Sequence, residues 1–123
     1  MIFLDTNILI EILKGNMKTI ERVQLFNSPL AISSITVMEL FYGALNKAEV
    51  KKLEKFVTLF KTIDINSDIS RESINLIKSY AKSHNLDIPD SLIASTALVF
   101  DIPLFTYNIR DFRFIRGLEL IDV

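Results

Sequence analysis

Short apolar runs alternate with helical repeats along this chain, and that alternation orders its elements. Met1–Leu4 is an apolar run, followed by Asp5-Thr6-Asn7, side chains suited to capping a helix. The spacing predicts a helix over about Asn7–Leu13, stopped at Gly15-Asn16, and a second over Lys18–Phe26, broken by Asn27-Ser28-Pro29. Leu30–Ile32 reads as a buried strand, and Ser33-Ser34 can cap a helix running through Leu45. Val50, Leu53, Phe56 and Phe60 recur at helical spacing, so another helix is expected over Ala48–Phe60. Ile63 and Ile65 alternate in a short strand, Thr62–Ile65. Asn66-Ser67 then opens a helix whose inner stripe is Ile69, Ser73, Leu76, Ile77 and Tyr80. Asn85, a residue tolerant of left-handed backbone, ends it. Pro89-Asp90 starts a nearly all-apolar helix to Phe100, and Leu104–Thr106 and Leu118–Ile121 read as closing strands. Strands alternating with helices predict an α/β sandwich around a parallel sheet, in one domain spanning 1–123.

Composition narrows the function classes. Half of the 123 residues are hydrophobic and three are Gly, which favours a packed core over disorder. The absence of Cys removes disulfides, thiolate nucleophiles and zinc–sulfur sites, and suits a cytoplasmic protein. No apolar run reaches the roughly 18 residues of a membrane span. No basic residue precedes Lys14, so the start does not read as a signal peptide. The formal net charge of −1 advertises no global nucleic-acid face, so local charge must carry any such reading.

Three acids stand alone in uncharged, largely apolar stretches. Asp5 is the only charge in Met1–Ile10, Glu39 is the only charge between Pro29 and Asn46, and Asp90 opens the uncharged run Ser91–Phe100. Burying an unpaired carboxylate is costly, and no Lys or Arg lies in these segments. The economical expectation is that the acids meet on a divalent metal. In parallel sheets, sites form beyond the carboxyl ends of strands, where Asp5 lies and where Asn108 and Asp111 follow Leu104–Thr106. All-oxygen ligands select Mg²⁺ or Mn²⁺, whose chemistry suits hydrolysis of a phosphodiester by activated water. Thr6, Asn7, Thr106 and Asn108 are placed to orient the acids.

The chain resembles the PIN-domain ribonucleases, and within them the VapC-type toxins of toxin–antitoxin pairs. The resemblance covers the full length. It rests on Asp5-Thr6-Asn7 after the first strand, on Glu39 in the helix following Ser34-Ile35-Thr36-Val37, on Ile88-Pro89-Asp90-Ser91-Leu92-Ile93-Ala94, and on Thr106-Tyr107-Asn108-Ile109-Arg110-Asp111-Phe112. It implies a three-layer α/β/α fold with a mainly parallel sheet and a Mg²⁺- or Mn²⁺-dependent endoribonuclease. Asp5, Glu39 and Asp90 would be the central acids and metal ligands, Asp111 a fourth acid, and Asn108 a supporting polar residue. It further implies an RNA substrate, a homodimer and an inhibitory VapB-like antitoxin. Tyr107 departs from the resemblance, standing where a basic residue is frequent.

Other readings compete residue by residue. Asp5 doubles as a helix cap, Asp87 reads as a solvated loop acid, and Asp111 has Arg110 and Arg113 as possible ion-pair partners. Arg110 and Arg113 are the expected phosphate contacts. His84, the lone histidine, sits at a polar turn and reads as solvated. A receiver domain would want an acidic pair after the first strand, and a haloacid-dehalogenase-type phosphatase a second Asp at the place Asn7 occupies. A PIN nuclease of RNA processing outside a toxin pair, or a non-catalytic PIN interaction subunit, keeps the same fold with a different role.

Overall fold

The computed structural model describes residues 1–122; Val123, the last residue of the domain expected from the sequence, lies outside them. Four strands, β1 (Ile2–Leu4), β2 (Leu30–Ser33), β3 (Lys61–Ile63) and β4 (Leu104–Phe105), form one sheet in the order β3-β2-β1-β4. Every neighbouring pair is parallel, with Phe3 opposite Ala31 and Leu104, and Ile32 opposite Thr62.

Six helices cover this sheet: α1 (Thr6–Leu13), α2 (Met17–Gln24), α3 (Ser34–Tyr42), α4 (Lys47–Val57), α5 (Ser67–His84) and α6 (Ile88–Phe100). Successive strand residues point to opposite faces, and this splits the core in two. Phe3, Ala31, Ile63 and Leu104 pack with Ile69 and Leu76 of α5 and Ile93, Ala94 and Ala97 of α6. Leu4, Ile32 and Phe105 pack on the other face with Ile8, Leu9, Val23, Leu40 and Leu53 from α1 to α4. The result is the expected three-layer α/β/α arrangement.

Each helix starts on a polar side chain that takes a backbone N–H: Asp5, Asn16, Ser33, Asn46, Asn66 and Asp87. Asn85 ends α5 with φ 57°, as its tolerance of left-handed backbone predicts. Several boundaries differ from expectation: the second helix ends at Gln24 rather than Phe26, the fourth at Val57 rather than Phe60, and the third strand at Ile63 rather than Ile65. The third helix ends at Tyr42 rather than Leu45, because Gly43 already caps it with its N–H on Glu39. Leu118–Ile121 is not a full strand: one parallel bridge, Leu104 to Leu120, joins it to the sheet edge, through hydrogen bonds to Glu119 and from Ile121.

Candidate active site

The carboxyl ends of β1, an inner strand, and β4, the edge strand beside it, lie side by side, with the start of α1 leading out of one and the loop 106–108 out of the other. Asp5 occupies that junction and is 5% exposed. Its Oδ1 accepts the Thr6 N–H at 2.8 Å, and its Oδ2 accepts the hydroxyl of buried Thr106 at 2.8 Å. Thr106 Oγ1 in turn accepts from the Asn108 backbone N–H at 3.0 Å and from Asn7 Nδ2 at 3.3 Å. Asn7 Oδ1 closes the ring by accepting the Tyr107 N–H at 3.3 Å. Thr106 therefore orients Asp5 directly and Asn7 braces Thr106, whereas Asn108 contributes its backbone N–H rather than the side-chain amide the sequence suggested. Two of about four carboxylate lone-pair sites on Asp5 are used, and the rest stay free.

Glu39 reaches the same place from the last turns of α3. The Thr6 hydroxyl donates to Glu39 Oε1 at 2.9 Å. That hydroxyl has a single proton, so its 2.8 Å contact with Thr36 Oγ1 must be donated by Thr36. A relay of two threonine hydroxyls thus holds the Glu39 carboxylate. Glu39 itself is exposed. The expectation that all three acids are buried holds in full only for Asp5; Asp90 is half-buried. The apolar neighbours of Glu39 explain the difference, because Met38 and Tyr42 also face solvent, Tyr42 at 95%.

Asp90 sits in the first turn of α6. Asp87 caps this helix, its Oδ1 accepting the Asp90 N–H at 2.8 Å, so it is a structural cap rather than an idle loop acid. Asp111 closes the cleft from a single 3₁₀ turn, Ile109–Asp111. It pairs with neither Arg110 nor Arg113: among the described residues the only ion pairs are Lys14 with Glu11 and Arg71 with Asp68. Asp5, Glu39, Asp90 and Asp111 therefore share a neighbourhood with no compensating cation.

The protonation energetics of Asp5 and Asp90 reflect that neighbourhood. Burial pushes the Asp5 carboxyl above its ordinary value, the Thr106 and Thr6 hydrogen bonds oppose the rise, and the charges of Glu39 and Asp111 add to it. Burial also pushes Asp90 up, to about 7, reinforced by the negative charges of Asp87, Asp5, Asp111 and Glu39. Asp5 and Asp90 thus both feel the negative charges of Glu39 and Asp111. Among the described residues, no three His, Cys, Asp or Glu side chains are arranged to hold a metal ion in this conformation. The donor set nonetheless suits a hard divalent cation: it is all oxygen, negatively charged and unpaired.

Three supports escaped the sequence reading. Thr36 lies in a stretch with no polar periodicity and pairs with a residue 30 positions away. Thr19 is fully buried, and its hydroxyl bonds the Tyr107 hydroxyl. Tyr107 is thereby tied to α2 and packs edge-on against Phe105. Only Asp87 carried a readable signal, an acidic residue just before Pro89 at a helix start.

The PIN domain family matches residues 2–117. The chain is 32% identical over 120 residues to Ribonuclease VapC19 of Mycobacterium tuberculosis, covering 94% of this chain and 95% of that protein. It is 30% identical over 125 residues to the tRNA(fMet)-specific endonuclease VapC of Shigella flexneri, covering 97% and 95%. Among solved structures, VapBC2 from Rickettsia felis, bound to a DNA fragment from its promoter, superposes with a TM-score of 0.85 at 30% identity, covering 100% and 99%.

Proposed function

This chain belongs to the PIN domain family, and from that premise we propose that it is the VapC-type toxin of a toxin–antitoxin pair, an endoribonuclease that depends on Mg²⁺ or Mn²⁺. The observation that carries the reading is the gathering of Asp5, Glu39, Asp90 and Asp111, from distant parts of the sequence, in one field with no cation to neutralise them.

Asp5, Glu39 and Asp90 would hold the ion, with Asp111 and Asn108 beside them. Such an ion supplies a Lewis acid for phosphoryl oxygens and lowers the pKa of water. The protein's own part is positioning. Thr106 and the Thr6 N–H hold Asp5 by both oxygens, and Thr36 acting through Thr6 aims Glu39. No Ser, Cys or His nucleophile lies among these residues, and in this reading a water would attack the phosphodiester. Arg110 and Arg113 bring positive charge to the rim for the RNA backbone. The name of the Shigella flexneri relative makes tRNA the first substrate to try.

The antitoxin partner is supported by a cavity of about 420 Å³ that opens beside Glu39, with Ile10, Leu13, Leu40, Ala44 and Leu53 as its apolar lining and Glu49 and Lys52 as its charged lining. A VapB-like partner would lay an apolar segment there and bring a basic side chain to the acids. Tyr42, Leu45 and Ile74 leave further apolar surface for partners, in line with a homodimer. Among the described residues no helix is long and apolar enough to cross a membrane, and we place the protein in the cytoplasm with its RNA.

The test is cleavage of defined RNAs by purified protein. Cleavage with Mn²⁺ that vanishes in excess chelator and in Asp5→Asn is expected. Equal cleavage in chelator would refute metal dependence, and RNA left intact with Mn²⁺ present would favour a non-catalytic interaction subunit.

A further inference from the structure

A second cavity, of about 500 Å³, adjoins the acids where α5 ends and the 3₁₀ turn begins. It is lined by His84, Asn85, Arg110, Asp111, Arg113 and Phe114. We propose that this cavity is a nucleotide subsite beside the cleaved bond, in which the His84–Phe114 stack takes an unpaired RNA base and Arg110 and Arg113 take its phosphate. The proposal rests on the nuclease reading above and adds to it where the strand lies.

The stack is a built feature. The His84 ring lies on Phe114 with centroids 4.4 Å apart and planes 9° from parallel. Tyr80 meets both rings edge-on, at 5.7 Å and 5.1 Å. The Ser83 hydroxyl lies 2.8 Å from His84 Nδ1, which fixes the imidazole's rotation. Tyr80 is held in turn by the Arg116 N–H on its hydroxyl at 3.3 Å. Phe114 packs partly against the core, while His84 remains exposed. An exposed imidazole with one face on Phe114 extends the aromatic shelf into the cavity. Flat rings of this kind hold unstacked bases of any sequence.

The charges fit the same ligand. Arg110 and Arg113 are exposed and take part in no ion pair among the described residues, although Asp111 lies between them in sequence. Free guanidinium groups beside a planar shelf suit a nucleotide, phosphate and base together. Asn85, turned into the left-handed conformation at the cavity wall, offers an amide donor and acceptor for a base edge. Asp111 is the shared wall: it lines this cavity, and its N–H bonds the Asn108 carbonyl, whose residue in turn donates its N–H to Thr106, the hydroxyl that holds Asp5. A nucleotide seated here therefore borders the acids. An acidic peptide would use the arginines but leave the shelf without a role.

The experiment uses the Asp5→Asn protein, expected to leave RNA uncut, and a short single-stranded RNA carrying 2-aminopurine, with cleavage by the wild-type protein followed in parallel. Binding should quench the fluorescent base. Adding His84→Ala should abolish the quenching and weaken binding about 5- to 10-fold, in keeping with base–aromatic stacking, and His84→Phe should restore both. Arg113→Ala should weaken binding and flatten its salt dependence while quenching persists at saturation. Unchanged affinity and quenching in His84→Ala, with the wild type cutting that RNA, would overturn the subsite and leave the nuclease reading standing. Quenched binding without cleavage by the wild type would overturn the nuclease and with it a subsite beside a cleaved bond, leaving only a base-binding shelf. An RNA neither bound nor cut would overturn both, and displacement by inorganic polyphosphate as effective as by RNA would overturn the base shelf.

Discussion

The two halves of the acidic cleft are built differently. On the side of β1, α1 and α3, each carboxylate is tied: Asp5 by a backbone N–H and Thr106, Glu39 by the hydroxyl relay of Thr36 and Thr6. On the side of α6 and the 3₁₀ turn, no hydrogen bond among the described residues holds the Asp90 or Asp111 carboxylate, and Asp90 instead feels four neighbouring negative charges. One half is preorganised and the other is held in electrostatic tension. A hard cation would relieve that tension without asking the first half to move. The same contrast accounts for acids that share a field without forming a closed cage among the described residues.

Substitutions should separate the halves. The largest effect is expected at the acids: Asp5→Asn and Asp90→Asn each abolish metal-dependent RNA cleavage in a gel assay while circular dichroism stays native. Next comes the support of the tied half. Thr106→Val strands the buried Asp5 carboxylate, and metal affinity or cleavage should fall about 10- to 100-fold, as for lost supports of metal ligands. A fall no larger than that of a surface Thr→Val control would show that the hydrogen bonds do not matter.

The tense half should respond to ions and to pH. Mg²⁺ at about 100 times its Kd should stabilise the fold by about 2.7 kcal/mol, read as a rise in Tm. Asp90 has a folded pKa of about 7 against an ordinary value of 3.8. A raised carboxyl favours the folded state while it holds its proton, so its contribution is fully present below the unfolded pKa and lost as pH rises through about 7. In chelator, Asp90→Asn should therefore raise Tm more at pH 8 than at pH 5, and an equal shift at both would contradict the tension. The smallest effect is expected at Tyr107→Phe. It removes the bond to Thr19 and should cost about 0.5–1.5 kcal/mol in urea unfolding while cleavage persists.

Much of this was legible in the sequence because it is local. Strand residues such as Phe3 and Leu4, or Leu104 and Phe105, divide between two cores by simple alternation, and polar caps mark the helix starts. Asp5 and Asp90 stood out as lone charges in apolar stretches. What stayed hidden depends on distant pairing. Nothing near Thr19 or Thr36 signals partners 88 and 30 residues away. The exposure of Glu39 was hidden for another reason: Met38 and Tyr42 beside it on α3 face solvent while Leu40 packs in the core, and exposed apolar residues imitate burial in the sequence. Leu118–Ile121 has the composition of a strand, yet at the sheet edge it makes only one bridge.

Titration of Mn²⁺ into the purified protein, followed by loss of the free ion's paramagnetic resonance signal, tests the shared-cation claim most directly. Saturable uptake is expected in the wild type, lost in Asp5→Asn and Asp90→Asn, and kept in the surface variant Glu119→Gln. No uptake by the wild type, or equal uptake by all four proteins, would contradict it.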